Sequence, residues 1–133
     1  MPLLIDTNVA IHLRDGSVPI VLRVAQTADD IALSTITLVE LMAGLAVEQR
    51  IAERRRAGIA DLLGHYELID PDRRVAEAYG EIVRVAGFSR TRVFDRLIAA
   101  TAIVHDLTLV TINGPDFRDI PGLQLEVWPS PAQ

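Results

Sequence analysis

The chain has 133 residues, of which 50% are hydrophobic and 23% charged, with a formal net charge of −5 at pH 7; this is the balance of one soluble globular domain over residues 1–133. The absence of cysteine excludes disulfides, thiolate zinc sites and cysteine nucleophiles, and the negative net charge argues against a protein that coats nucleic acid through bulk positive charge. Because no apolar run could cross a bilayer and the first residues lack a signal-peptide pattern, we expect a cytoplasmic protein with no membrane association.

Apolar runs and helix-period patterns alternate along the first half of the chain. The run LLI (3–5) predicts a buried strand, followed by a short helix from Thr7 to about Arg14 that Gly16 ends. The stretch SVPIVLRVAQTA predicts a second helix with Ser17 as its cap. After it, DIALST predicts a strand, TLVELMAGLAV a helix and EQRIAERRRAGIADLLGHY a companion helix.

The same alternation continues through the second half. YELID predicts a strand, and RVAEAYGEIVRVAG predicts a helix that Gly87 closes. FDRLIAATAIVHD predicts an alanine-rich helix, LTLVTI a strand, INGPDF a turn and LQLEVW a last strand. Strands that alternate with helical crossovers predict an α/β fold with a parallel sheet covered by helices on both faces.

Acidic residues follow or accompany the predicted strand ends at four separate places. Asp6 follows the first strand, and Glu40 lies early in the helix after the second. Asp95 opens the alanine-rich helix, and Asp116 follows the strand TLVTI by a turn. Open α/β sheets keep their ligand crevice at the carboxyl ends of the strands, so these carboxylates can converge. Convergent carboxylates repel one another and need a counter-charge, for which a divalent cation such as Mg²⁺ is suited.

Each of these acids also has a purely structural interpretation. Asp6 can be a helix N-cap, and Glu40 can close a capping box that begins at Thr37. Asp95 is favoured at a helix start by the helix dipole, and Asp116 can be an ordinary turn residue. Taken one at a time, each acid is more often structural, and only the joint arrangement favours a metal site.

Four segments, LLIDTNV, STITLVELMAGL, FDRLIAATAIVHDLTLVTINGPDF and GLQLEVW, span the chain almost from end to end. In these segments the chain resembles the PIN domains, and among them the VapC toxins of bacterial VapBC toxin–antitoxin pairs. The resemblance implies a PIN-like three-layer sandwich in which a mainly parallel central sheet is flanked by helices. It matches Asp6, Glu40 and Asp95 to the metal-binding acids of the family, Asn113 and Asp116 to the motif that completes the site, and Thr7 to the small hydroxyl residue beside the first acid.

The resemblance further implies an endoribonuclease that depends on Mg²⁺ or Mn²⁺ and acts as the toxin of such a pair. Its catalytic residues would be Asp6, Glu40, Asp95 and Asp116, with Asp6, Asp95 and Asp116 as metal ligands and Thr7 and Asn113 in support. The implied partners are an RNA substrate, a VapB-like antitoxin and a second copy of the chain, in a homodimer and in a hetero-oligomer with the antitoxin.

Two features qualify this assignment. Asn113 supplies no charge, so the fourth acid falls to Asp116, and Asp106 stands where the family often has Gly, so we expect an altered turn there. Arg90, Arg92 and Arg96 flank Asp95 and are predicted to touch RNA phosphates, with a solvated loop as the alternative.

Two other functions remain open at this stage. A non-catalytic PIN-like binding module would keep the fold and lose metal affinity. A different acid-cluster phosphoryl hydrolase would use an Asp nucleophile and would normally have a lysine nearby to hold the phosphoryl group, whereas all 13 basic residues of this chain are arginine.

Overall fold

Helices and strands alternate along the computed structural model, which describes residues 2–131. The elements are β1 (Leu3–Ile5), α1 (Thr7–Arg14), α2 (Val18–Gln26), β2 (Ile31–Ser34), α3 (Thr35–Ala43), α4 (Gln49–His65), β3 (Glu67–Ile69), α5 (Arg73–Ala86), α6 (Val93–Val104), β4 (Thr108–Thr111) and β5 (Leu125–Val127). Two 3-10 turns, Arg90–Arg92 and Gly114–Asp116, lie before α6 and after β4. Each predicted strand and helix is found in its predicted place, with ends shifted by a few residues. No helix in this part of the chain is long and apolar enough to span a membrane.

The five strands form one sheet in the order β3-β2-β1-β4-β5, and every neighbouring pair is parallel. The first strand of the chain is therefore the central one, between β2 and β4. Parallel neighbours require crossover connections, which the helices supply, except that a loop with the Gly114–Asp116 turn joins β4 to β5. The carboxyl ends of all five strands consequently lie at one edge of the sheet, as the sequence predicts.

Helices cover both faces of this sheet. Successive side chains of a strand point to opposite faces, so neighbouring residues of β1 pack against different helices. On β1, Leu4 joins a buried cluster with residues of α5 and α6, including Val75, Ile82 and Ile98. Leu3 and Ile5 face the other way and join a cluster with residues of α1, α2, α3 and α4. The predicted three-layer α/β sandwich is confirmed.

The start of α3 differs from the prediction in a way that bears on the site. The N-cap is Ser34, whose hydroxyl accepts the backbone N–H of Ile36 at 3.0 Å. Thr37 lies inside the helix, so the predicted capping box from Thr37 to Glu40 is wrong. The Glu40 side chain is thus free to make a contact outside its own helix.

Two further turn predictions can be compared with the structure. Ser17 precedes α2, but its side chain makes no capping hydrogen bond. Asp106 has a φ of +54°, the left-handed conformation that Gly favours and that Asp tolerates better than most residues. The departure from Gly is therefore accommodated at Asp106 itself, in the connection between α6 and β4.

Candidate active site

The structure brings the four predicted acids together at the carboxyl edge of the sheet. Asp6 directly follows β1, Glu40 lies on α3, Asp95 lies in the first turn of α6, and Asp116 ends the 3-10 turn after β4. Their charges act on one another: Glu40 and Asp116 both raise the pKa of Asp6. The same two acids, together with Asp6, raise the pKa of Asp95.

Asp6 is the most deeply placed of these acids, with 2% of its surface exposed. One carboxylate oxygen, Oδ1, accepts the backbone N–H of Val9 at 3.0 Å, and the other, Oδ2, accepts the hydroxyl of Thr111 at 2.6 Å. Burial is the main reason why the pKa of Asp6 is raised, although both hydrogen bonds act in the opposite direction. The N-cap interpretation is therefore correct, and it holds together with a place in the acidic cluster.

A pair of threonine hydroxyls supports Glu40. The hydroxyl of Thr7, the first residue of α1, donates to Glu40 Oε1 at 2.5 Å. It also lies 3.2 Å from the hydroxyl of Thr37, which is fully buried. This contact ties α3 to α1 at the level of the acids and gives the predicted supporting residue Thr7 a definite partner.

Asp95, in the first turn of α6, is partly buried among the other acids. Its pKa is raised to about 6, first because burial removes water from the carboxylate and then because of Asp116, Glu40 and Asp6. Arg92 acts in the opposite direction and lowers the pKa of Asp95. Repulsion between clustered carboxylates is therefore present and is only partly offset by this arginine.

Asn113 and Asp116 form a small unit after β4. Asn113 Nδ2 donates to Asp116 Oδ2 at 2.6 Å, and the Asn113 backbone N–H donates to the Thr111 hydroxyl at 2.9 Å. In this arrangement the Asn113 amide holds the Asp116 carboxylate through its nitrogen. Asn113 thus acts here as a support for the neighbouring acid.

The three arginines predicted to touch RNA occupy different environments. Arg90 is exposed and has no side-chain partner among residues 2–131. Arg92 is partly exposed, and its Nη1 donates to the backbone carbonyl of Asp116 at 3.3 Å. Arg96 is 3% exposed, and its guanidinium bonds the Gly87 carbonyl and Asp119. Its burial leaves Arg96 without the surface access that a phosphate contact requires.

Thr111, Thr37 and Asp119 are site residues that sequence reasoning did not select. Thr111 ends β4, and β4 lies beside β1, so its hydroxyl meets Asp6 although 105 residues separate them in the chain. A small hydroxyl residue at the end of an apolar strand was the available signal. It could be used only once the order of the strands was known.

The donor set suits a hard divalent cation, because four convergent carboxylates supply charged oxygen ligands and two of them have raised pKa values through mutual repulsion and burial. As the side chains of residues 2–131 are placed, no three acidic or histidine groups are arranged to hold a metal ion together. Ligation by three of the acids would therefore require a convergence of side chains that are now held by Thr7, Thr111 and Asn113.

Replacing Thr111 with Val should weaken metal binding, because the carboxylate of Asp6 loses the hydroxyl that orients it. Loss of such a supporting partner typically costs about 10–100-fold in metal affinity or activity, and we expect an effect of this size for Mn²⁺ titrated into the purified variant. Thr101→Val is the matched control, because Thr101 is also fully buried but bonds the Leu97 carbonyl within α6. Equal Mn²⁺ affinities in the two variants would contradict the role given to Thr111.

The sequence of this chain is similar to a known domain family and to curated proteins of that kind. The model of the PIN domain family matches residues 3–123. Ribonuclease VapC2 of Rickettsia felis is 32% identical over 131 residues, covering 94% of this chain and 96% of that protein. The tRNA(fMet)-specific endonuclease VapC of Salmonella typhimurium is 30% identical over 135 residues, with the same coverage of 94% and 96%.

Solved structures that resemble this chain are also VapBC complexes. The VapBC2 complex of Rickettsia felis, bound to a DNA fragment from its promoter, contains a chain with a TM-score of 0.79 and 29% identity, covering 96% of this chain and 99% of that one. The DNA-bound VapBC of Salmonella typhimurium gives a TM-score of 0.80 at 28% identity, covering 96% and 98%.

Proposed function

This chain belongs to the PIN-domain family, and from that membership we propose that it is a VapC-type ribonuclease, the toxin of a toxin–antitoxin pair, which uses Mg²⁺ to cleave RNA. One observation supports the proposal most: carboxylates from four separate segments meet at one edge of the sheet, where burial first and then their mutual repulsion raise the pKa values of Asp6 and Asp95. A purely structural role would not require acids to be gathered against their own repulsion.

Asp6, Asp95 and Asp116 would hold the metal, with Mn²⁺ as an alternative to Mg²⁺. When bound, such an ion supplies Lewis-acid chemistry: it lowers the pKa of a coordinated water and neutralises charge on the scissile phosphate. Thr111 donates to Asp6 Oδ2 and Asn113 donates to Asp116 Oδ2, so these two carboxylates would keep hydrogen-bonded neighbours next to the metal.

Glu40 would orient the attacking water and accept its proton. The Thr7 hydroxyl donates to Oε1 of Glu40, which fixes that oxygen and leaves Oε2 for the water. Because a carboxylate must be ionised to bind a metal, the metal affinity of the protein should increase as pH rises through the pKa of about 6 at Asp95.

Arg90 and Arg92 would contact the RNA backbone on either side of the cut. Arg90 is exposed and unpaired within the described residues, and the side chain of Arg92 is 38% exposed. Arginine presents a planar fork that suits bidentate phosphate contacts. Arg96 is not included in this role because it is buried.

The partners proposed for this chain are a VapB-like antitoxin that holds it inactive and a second copy of the chain. The similar solved structures support the first, since they are VapBC complexes and other toxin–antitoxin pairs. Transfer RNA is the first substrate to test, because the Salmonella typhimurium relative bears the name of a tRNA(fMet)-specific endonuclease.

Cleavage of total cellular RNA by the purified, antitoxin-free protein tests the proposal. We expect discrete fragments with Mg²⁺ or Mn²⁺, none with EDTA, and loss of cleavage when an excess of cognate antitoxin is added. A folded protein that binds Mn²⁺ but leaves every RNA intact would contradict the nuclease. A covalent aspartyl-phosphate trapped on the protein would favour a phosphoryl hydrolase instead.

A further inference from the structure

Asp119, in the loop between the Gly114–Asp116 turn and β5, receives two arginines that flank Asp95 in sequence. Arg96 Nη2 lies 3.4 Å from Asp119 Oδ2, and Arg92 Nη1 lies 3.9 Å from Asp119 Oδ1. No other acidic side chain in residues 2–131 forms an ion pair with either arginine. We call Arg92, Arg96 and Asp119 the arginine clamp.

Arg96 is the fixed arm of the clamp. Only 3% of its side chain is exposed, whereas 46% of the Asp119 side chain is exposed. Its Nη1 also donates to the Gly87 carbonyl at 2.5 Å, at the end of α5. A buried guanidinium needs a compensating charge, so Asp119 is held at Arg96, the residue that follows Asp95 in the first turn of α6.

Arg92 is the second arm, and it contacts the backbone of Asp116, which Arg96 does not. The same Nη1 that lies near Asp119 donates to the backbone carbonyl of Asp116 at 3.3 Å. The two arms therefore span from the segment that carries Asp95 to the segment that carries Asp116. These segments are the start of α6 and the connection after β4, which lie at opposite ends of the α6–β4 unit in the chain.

We propose that Asp119 is a positioning residue, which through Arg92 and Arg96 sets the separation of Asp95 and Asp116 and so the metal affinity of the cluster. This inference rests on the proposed function, since it concerns the metal that the acids would hold. Asp119 does not touch the metal or the RNA; it acts through the two arginines.

Two variants test the clamp through Mn²⁺ affinity, measured by isothermal titration without RNA. Asp119→Asn removes the charge that holds both arginines. Arg96→Lys keeps the net charge but replaces the guanidinium fork, so one ammonium must serve both the Gly87 carbonyl and Asp119. We expect each to raise the Kd for Mn²⁺ about tenfold, the lower end of what a supporting partner contributes.

The surface pair Glu81 and Arg84 provides matched controls, because these residues form an exposed ion pair on α5. Glu81→Gln and Arg84→Lys repeat the same chemical changes and should leave the Kd for Mn²⁺ unchanged. Titrations at 0.1 M and at 1 M KCl separate position from charge, because ~1 M salt reduces the screening length to about 3 Å. If Asp119 acts by positioning the arginines, the increase in the Kd for Mn²⁺ should remain at 1 M KCl.

The outcomes distinguish the clamp from the proposed function. Wild-type Mn²⁺ affinity in folded Asp119→Asn or Arg96→Lys protein would overturn the clamp and leave the nuclease intact. An Asp119→Asn effect that disappears at 1 M KCl would also overturn it, because the residue would then act only by its charge. A wild-type chain that binds no Mn²⁺ would overturn both. If Asp119→Asn does not fold, Arg96→Lys decides the question alone.

Discussion

Replacement of Asp6 with Asn is expected to lower RNA cleavage by more than about 100-fold, the upper end of the loss seen when only a supporting partner of a metal ligand is removed. The variant should nevertheless fold. Asn keeps an oxygen that can accept the Val9 N–H, so the start of α1 remains capped. Burial disfavours the charged form of Asp6, as its raised pKa indicates, so the neutral side chain removes a desolvation cost at pH 7, although the Thr111 hydroxyl loses its acceptor oxygen.

Asp72→Asn is the control for this variant. Asp72 is also an N-cap, since its Oδ1 accepts the Val75 N–H at 3.1 Å, but it begins α5 and lies outside the acidic cluster. Cleavage rates and circular dichroism should be measured for both variants in Mg²⁺. If Asp6→Asn cleaved RNA at the wild-type rate, Asp6 would be a helix cap and nothing more.

Replacement of Asp95 with Asn is expected to abolish metal-dependent cleavage and, at the same time, to stabilise the metal-free protein at pH 7. The folded-state pKa of about 6 lies above the unfolded value of about 4, so the native state binds this proton more tightly. The free energy of unfolding therefore decreases as pH rises from about 4 through about 6. Above that pH, the ionised Asp95 carboxylate destabilises the folded protein by its full amount.

The shift of about two pKa units corresponds to roughly 3 kcal/mol, which solvent at this partly exposed group reduces to about 1 kcal/mol. For a chain of this size, that is a gain of about 3–4 °C in Tm for Asp95→Asn in EDTA at pH 7.5. The difference from wild type should vanish near pH 4. A lower Tm than wild type at pH 7.5 would contradict the repulsive environment assigned to Asp95.

Metal addition gives the same variant a second readout. Mg²⁺ or Mn²⁺ that binds only the folded state should raise the Tm of the wild type. The Tm of Asp95→Asn should respond far less, because the variant lacks one charged oxygen ligand. The acid that weakens the metal-free fold would thereby be the one through which metal binding stabilises it.

The elements and the acids could be predicted from the sequence because both depend on local pattern. Apolar runs and helix-period spacing located the strands and helices, and the acids were conspicuous at strand ends. The beginning of α3 was misplaced because Ser34, Thr35 and Thr37 are all acceptable cap residues, and only the end of β2 decides among them. The contact of Glu40 with Thr7 could not be foreseen while a capping box explained it.

The burial of Arg96 could have been predicted from its position in the helical pattern of α6. Arg96 lies three and four residues before Ala99 and Ala100, so it shares the buried face of α6 with them. Helical phase alone would have placed it inside. Its partner Asp119 was out of reach of such reasoning, because the loop after the Gly114–Asp116 turn returns to α6 only in the folded chain.

Because β1 is the central strand, the residues that surround Asp6 are synthesised at very different times. Asp6 is made among the first residues, but its partner strand β4 and the hydroxyl of Thr111 come 105 residues later. A growing chain on the ribosome can therefore pair β1 with β2 and join Thr7 to Glu40, but it still lacks Asp95, Asp116 and the Thr111 hydroxyl. The cluster of four acids can therefore assemble only after β4 and the turn that carries Asp116 have been made.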